Sequence, residues 1–86
     1  ISKNLPEILI SKSELIKGTS LISIISTNLI LSSKSEARRA IKNNGIKIND
    51  ILISDENKII LKSDFKQKDY LKISYGKKKH YILKYN

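Results

Sequence analysis

The sequence contains no cysteine, methionine, valine or tryptophan, and it has only one proline and three glycines. Without cysteine, disulfides and thiolate metal sites are excluded. The longest dense apolar stretch, residues 21–31, is interrupted by polar side chains and is too short to span a bilayer. No signal-peptide pattern is present at the start. We therefore expect a cytoplasmic protein without a membrane partner.

Acidic residues are also scarce, with 8 against 17 basic ones, which leaves a net charge of +9. Isoleucine, lysine and asparagine supply 39 of the 86 residues, so lysine is abundant everywhere and its position is more informative than its number. Residues 34–49 carry a net charge of +4 in sixteen positions. The two arginines are adjacent, at 38 and 39, which favours a need for the guanidinium fork that grips phosphate. The charge pattern indicates an anionic partner.

Catalytic chemistry has little support in the sequence. His80 is the single imidazole, and the carboxylates are scattered through predicted turns. A chain of this length buries roughly 60–65% of its unfolded surface, which is too little to enclose a deep catalytic cavity. We predict no catalytic residue and no metal ligand. Because the chain starts at Ile1 and has no methionine, we expect it to be a piece of a longer protein.

A short basic helix is predicted in the middle of the chain. Ser33 followed by Glu36 forms a capping box that predicts a start near Lys34, and Gly45 is placed where a helix ends on a left-handed residue. The apolar residues of this helix share one face: Ala37, Ala40 and Ile41. The hydrogen-bond donors occupy the other faces: Lys34, Ser35, Arg38, Arg39, Lys42 and Asn43. Two interpretations remain open, a solvated face and a phosphate-binding face.

The remaining periodicities predict an α+β fold, in which two packed helices near 20–31 and 34–44 precede a small, mostly antiparallel sheet from 46 to 84. The first helix has Thr19 or Ser20 as its cap. Its inward residues are Leu21, Ile24, Ile25 and Leu29. Period-two patterns predict strands at 46–49, 51–53 and 58–62, and a hairpin of 71–75 and 81–85 around a loop at 76–79. Upstream, a short edge strand is predicted at 8–10 and a helical turn at 13–18 that ends at Gly18.

The run S-K-S-E-A-R-R-A-I-K-N-N-G-I-K-I-N, residues 33–49, resembles the small RNA-binding domain named after small-subunit ribosomal protein S-four. That family has two packed helices followed by a small sheet and binds structured RNA. Residues 5–8 and 11–15 resemble the connector that precedes this domain in bacterial tyrosyl-tRNA synthetases, and 76–81 resembles its closing hairpin. Asp50 departs from the asparagine–glycine turn usual in the family, which leaves the type of the turn at Asn49–Asp50 open.

The resemblance implies a connector at 1–18 and an RNA-binding domain at 19–86, with tyrosine tRNA as partner through its variable arm and anticodon stem. It implies no cofactor here, with ATP and Mg in the catalytic domain of the parent synthetase. We expect a monomeric fragment and a homodimeric parent. The alternatives are another RNA-binding parent, such as an RNA pseudouridine synthase or a ribosomal protein, and a protein- or membrane-docking basic module.

The predicted RNA-binding residues are Lys34, Ser35, Arg38, Arg39, Lys42, Asn43, Lys47, Lys77, Lys78 and Lys79. Tyr75, His80 and Tyr81 are near the lysine loop and offer rings for base stacking, although the tyrosines fit a hairpin core equally well. The lysine loop also fits a solubilising turn that protects a sheet edge.

Overall fold

The computed structural model describes residues 5–28 and 30–86, and it has the predicted α+β fold. The helices are α1 (Lys12–Lys17), α2 (Leu21–Thr27) and α3 (Lys34–Lys42), with a 3-10 helix at Lys62–Phe65. The strands are β1 (Glu7–Ile10), β2 (Thr19–Ser20), β3 (Ile46–Ile48), β4 (Ile51–Leu52), β5 (Ile59–Ile60), β6 (Tyr70–Tyr75) and β7 (Lys79–Tyr85).

Five strands form the main sheet, in the order β1-β7-β6-β3-β4. The predicted hairpin is confirmed, because β6 and β7 pair antiparallel from Tyr70 opposite Lys84 to Tyr75 opposite Lys79. β3 pairs antiparallel with β6 and with β4, whereas β1 pairs parallel with β7 at the sheet edge. The sheet is therefore mostly antiparallel, as predicted, but it recruits a strand from before the two helices.

One face of this sheet packs against the helices around a core of isoleucine and leucine. Because side chains alternate along a strand, Leu71 and Ile73 of β6 and Leu83 of β7 lie fully buried on that face. α2 and α3 pack against each other, and Ala37 and Ile41 of α3 are also fully buried. The small alanine side chain permits a close approach of the two helices. The exposed faces of α3 are thereby directed away from the core.

α2 is shorter than its sequence pattern predicts, because it ends at Thr27 and not near residue 31. Asn28 stops it: the Asn28 backbone N–H and side-chain Nδ2 both donate to the Ile24 carbonyl, at 3.2 and 2.8 Å. A side-chain amide that competes for a helical carbonyl favours termination. At the other end Ser20 is the cap, since its Oγ accepts from the Ser23 N–H at 3.3 Å.

The buried residues of α2 match the predicted inward stripe and extend it. The predicted Leu21, Ile24 and Ile25 are buried, and so is Ile22. Leu29, another predicted member of this stripe, lies outside the described residues. Isoleucine is a poor helix former in isolation, so packing stabilises this helix more than intrinsic propensity does.

The predicted left-handed stop at Gly45 is wrong by one residue. α3 ends at Lys42, and the positive φ belongs to Asn44, at 61°. Asparagine tolerates this conformation better than most residues, which leaves Gly45 a different role. A Cβ at Gly45 would lie 3.2 Å from the Ala40 carbonyl oxygen and 3.6 Å from Tyr75 Cε1. The missing side chain lets the end of α3 lie close to β6.

The stretch predicted as a third strand of the main sheet, residues 58–62, contributes only β5, and β5 pairs with β2 in a separate two-stranded sheet. The Asp64 carboxylate explains the early end of β5. Its Oδ2 accepts from the Leu61 N–H at 2.8 Å and its Oδ1 from Lys58 Nζ at 2.9 Å. These bonds turn the chain into the 3-10 helix, which buries Phe65.

The connection between β3 and β4 is a two-residue turn. Asn49 and Asp50 both have positive φ, at 51° and 68°, which is the pattern of a type I′ turn. Asparagine and aspartate are the residues after glycine that accept this conformation. A hairpin turn therefore forms at this position although Asp50 replaces the glycine that is usual in the family.

Residues 5–18 pack against the sheet and the core. β1 occupies the sheet edge, as predicted, and α1 ends at Lys17 with Gly18 as its C-cap, at a φ of 91°. Ser11 caps α1 by accepting from the Glu14 N–H at 3.2 Å, and Leu15 is fully buried. The division into a connector at 1–18 and a domain at 19–86 stays a prediction.

Candidate nucleic-acid interface

The α3 helix presents its basic residues because a side-chain cap and a buried stripe fix its position. Ser33 Oγ accepts from the Glu36 N–H at 3.1 Å, so the predicted N-cap is present. The predicted reciprocal bond is different: Glu36 Oε1 accepts from the N–H of Ser32, at 3.2 Å, and from the Ser32 hydroxyl. Glu36 is thereby held at the start of the helix, where a negative charge complements the helix dipole.

All ten residues predicted to bind RNA are exposed in the structure. Six of them lie on α3 and its cap, one on β3, and three in or beside the β6–β7 turn. The loop itself is shorter than predicted, since Lys79 already belongs to β7 and pairs with Tyr75. Their binding role stays a prediction.

Two hydrogen bonds bring the lysine loop to the end of α3. The Gly76 N–H donates to the Gly45 carbonyl at 3.0 Å, and the Gly45 N–H donates to the Ala40 carbonyl at 2.8 Å. Residues 77–79 therefore begin directly beside the C-terminal end of the basic helix. Two basic segments that are separated in the sequence form neighbouring parts of one surface.

One flank of α3 is paired with an acidic residue that the sequence patterns did not reveal. Arg38 Nε lies 3.1 Å from Glu56 Oε1, and Lys42 Nζ lies 3.2 Å from Glu56 Oε2. Glu56 follows the β4 strand in a loop, and nothing in its local sequence indicates that it faces a helix. The two cations keep side-chain exposures of 46% and 59%, so they remain accessible to a ligand in solution.

The other flank of α3 forms a shallow concavity of about 280 Å³ between the helix and β6. Arg39 and Asn43 supply donors along one side, Glu36 supplies a carboxylate, and Tyr75 supplies a half-buried ring. The adjacent arginines thus face different surroundings, since Arg38 pairs with Glu56 and Arg39 lines this concavity. An arginine and an aromatic ring at one concave site suit a stacked base or a phosphate.

His80 is a hydrogen-bonded residue of the hairpin, and both of its ring nitrogens have partners. Its Nδ1 lies 2.9 Å from the hydroxyl of the buried Ser74, and its Nε2 lies 3.1 Å from the Lys77 carbonyl oxygen. These contacts tie the lysine loop to β6. Lys47 is opposite Ser74 in the strand register, and because its neighbours Ile46 and Ile48 are buried, its exposed side chain lies on the sheet face turned away from the helices.

Tyr75, Tyr81 and Tyr85 are partly buried against the core. Tyr85 meets Phe65 edge-to-face with 5.1 Å between ring centroids. Of the aromatic residues predicted near the loop, Tyr75 therefore combines a core contact with access to the surface beside Arg39.

A larger groove of about 570 Å³ lies away from α3, and its lining residues are all different from the predicted site residues. Tyr70 lies on one wall with Lys68 Nζ 5.5 Å from its ring centroid, and Lys72 lies on another. Lys72 donates to Asp50 Oδ1 at 2.9 Å; this hydrogen bond, and then the charge of Lys72, lower the pKa of the Asp50 carboxyl. Asp50 thus offsets the charge of Lys72 within this groove.

Within the part of the chain that the structure describes, no group of three or more histidine, cysteine or acidic residues is arranged to hold a metal ion. Across the same described ranges, no helix has the length and apolar character needed to cross a membrane.

The chain is similar to tyrosine–tRNA ligases over nearly all of its length. It is 42% identical over 82 residues to the ligase of Bartonella quintana (strain Toulouse), a match that covers 95% of this chain. It is 40% identical over 84 residues to the ligase of Rickettsia africae (strain ESF-5), covering 98% of this chain. The chain spans 20% of the length of these curated relatives. A family model, described as tyrosine–tRNA ligase SYY-like C-terminal domain, matches residues 1–83, and the chain belongs to that family.

Proposed function

We propose that this domain binds tRNA for a tyrosine–tRNA ligase, through a surface made of α3 and the β6–β7 lysine loop. The observation that supports this most directly is the junction between Gly45 and Gly76, which places the loop beside the end of the basic helix. The family match favours a ligase over the other RNA-binding parents that the sequence left open.

The surface is suited to a phosphate backbone. Arg38 and Arg39 offer planar forks that bind phosphate bidentately, whereas the lysines of the loop act as mobile point charges. Phosphate contacts supply affinity and position but carry no sequence information. A surface dominated by such contacts recognises structured RNA mainly by its shape.

The partner that this proposal names is tyrosine tRNA, contacted at its long variable arm and anticodon stem. This assignment is supported by the resemblance of 33–49 to the S-four type domain and by the names of the curated relatives. We assign tyrosine activation, which uses ATP and Mg, to the catalytic domain of the parent ligase. We assign no catalytic step to this domain. In this proposal the isolated domain is a monomer and the parent ligase is a homodimer.

The arginine pair provides the first test. Arg38→Ala and Arg39→Ala should each weaken tRNA binding by about 1–3 kcal/mol, the range for a well-placed arginine contact. Each should also flatten the slope of log affinity against log salt by about 0.7–0.9 for every phosphate that the variant no longer neutralises. Arg38→Lys should recover only part of the affinity, because lysine keeps the charge without the fork. Gel-shift titrations at several salt concentrations measure all three effects.

Lys12→Ala is the matched control, because Lys12 is an exposed cation on α1 outside the proposed surface. It should leave both affinity and slope nearly unchanged. Wild-type binding by both arginine variants at every salt concentration would remove α3 from the RNA site. A parallel titration with a tRNA that has a short variable arm tests the choice of tRNA, and equal affinity for both tRNAs would contradict it.

A further inference from the structure

Glu56 is an acidic residue on one flank of the basic α3 surface. Its two carboxylate oxygens contact different cations of α3, Arg38 at 3.1 Å and Lys42 at 3.2 Å. The loop that carries Glu56 is held by its neighbour, since Asp55 Oδ1 accepts from the Asn57 N–H at 2.8 Å. The carboxylate therefore occupies a defined place between two groups that the proposed function assigns to RNA phosphates.

Stability is a poor explanation for this arrangement. Both ion pairs are exposed, with side-chain exposures of 46% for Arg38 and 59% for Lys42, and exposed pairs contribute little to folding. A carboxylate at this position instead competes with every phosphate that approaches the two cations. Like charges that meet across an interface disfavour unmatched partners.

We propose that Glu56 is a specificity-determining residue of the RNA surface, an inference that rests on the proposed function. Glu56 engages Arg38 through Nε, which uses one of the five guanidinium N–H donors. The other donors remain available to a phosphate that arrives from the opposite side. RNA whose rigid backbone presents a phosphate there binds without displacing Glu56.

Flexible single strands are affected differently. Their phosphates bind through the sequence-independent electrostatic term and gain most when Arg38 and Lys42 are both free. Glu56 withholds part of that gain, because a phosphate that takes the place of the carboxylate on either cation must first displace it. Specificity is a difference between two affinities, so a residue that weakens only the unmatched RNA raises it.

The test compares Glu56→Gln with Asp55→Asn as its control. Each variant removes one negative charge, and the two positions are adjacent. Asparagine at position 55 keeps a side-chain oxygen that accepts from the Asn57 N–H. The probes are tyrosine tRNA and a uridine homopolymer, titrated by fluorescence anisotropy at one fixed salt concentration. Glu56→Gln should strengthen homopolymer binding roughly two- to tenfold while tRNA binding changes less. The affinity ratio of tRNA to homopolymer should fall in Glu56→Gln and stay constant in Asp55→Asn.

An equal ratio in the two variants would overturn the role of Glu56 and reduce its effect to net charge. Arg38→Ala, measured in the same series, separates that result from failure of the proposed function. If Arg38→Ala weakens tRNA binding and the ratio is unchanged in Glu56→Gln, only the inference about Glu56 falls. If Arg38→Ala and Arg39→Ala both bind as wild type, α3 is not the RNA site and both proposals fall.

Discussion

Gly18 combines a demanding backbone conformation with close neighbours. Its φ of 91° and ψ of 132° suit glycine and disfavour any residue with a side chain. A Cβ at this position would lie 2.7 Å from Ile59 Cγ2 and 3.1 Å from Leu61 Cδ2. Gly18→Ala should therefore lower the free energy of unfolding by about 2–4 kcal/mol, which combines backbone strain and overpacking. Urea denaturation followed by circular dichroism measures this decrease.

Gly76→Ala is the matched control for Gly18→Ala. Gly76 also has a positive φ, at 67°, but a Cβ there would meet no atom within 4 Å. Only the backbone cost remains, so we expect the free energy of unfolding to fall by about 1 kcal/mol. Equal decreases in the two variants would show that the neighbours of Gly18 relax without cost.

At the scale of a single element, α3 depends on its cap because it is short. An isolated helix of nine residues is only marginally stable in water, so each satisfied terminal group matters. Ser33→Ala removes the acceptor for the Glu36 N–H and should lower the free energy of unfolding by about 0.5–2 kcal/mol. Thermal or urea unfolding tests this value.

Ser35→Ala in the same helix provides the comparison. Ser35 is exposed, and alanine is the better helix former, so stability should stay the same or rise slightly. A similar destabilisation in both variants would mean that the hydroxyl of Ser33 does not act as a cap.

Residues 5–18 contribute Ile8, Ile10 and Leu15 to the hydrophobic core of the whole molecule. Leu15 of α1 is fully buried, whereas its neighbour Ile16 is 64% exposed. Leu15→Ala should lower the free energy of unfolding by about 2–5 kcal/mol, and Ile16→Ala should change it by less than about 0.5 kcal/mol. Urea denaturation of the two variants tests whether this segment is an independent connector, because a connector would tolerate both substitutions equally.

Local patterns predicted much of this fold correctly. The change from helical to alternating periodicity after residue 45, the cap at Ser33 and the β6–β7 hairpin are all present in the structure. Of the two candidate caps for α2, Thr19 and Ser20, the structure has Ser20. These features depend on neighbours within a few residues, such as a side-chain oxygen three positions from an N–H, and such spacing is visible in the sequence. The exposure of the basic face of α3 follows in the same way from the buried positions Ala37 and Ile41.

Contacts between distant segments were not visible in the same patterns. The parallel pairing of β1 with β7, the pairing of β2 with β5 and the two contacts of Glu56 each join residues far apart in the chain. Whether such segments meet depends on how the whole core closes, since each apolar strand has several partners that would bury it equally well. The sequence therefore determined which helix face is basic and exposed, while the tertiary structure decided that a carboxylate lies on one flank of that face and a tyrosine ring on the other.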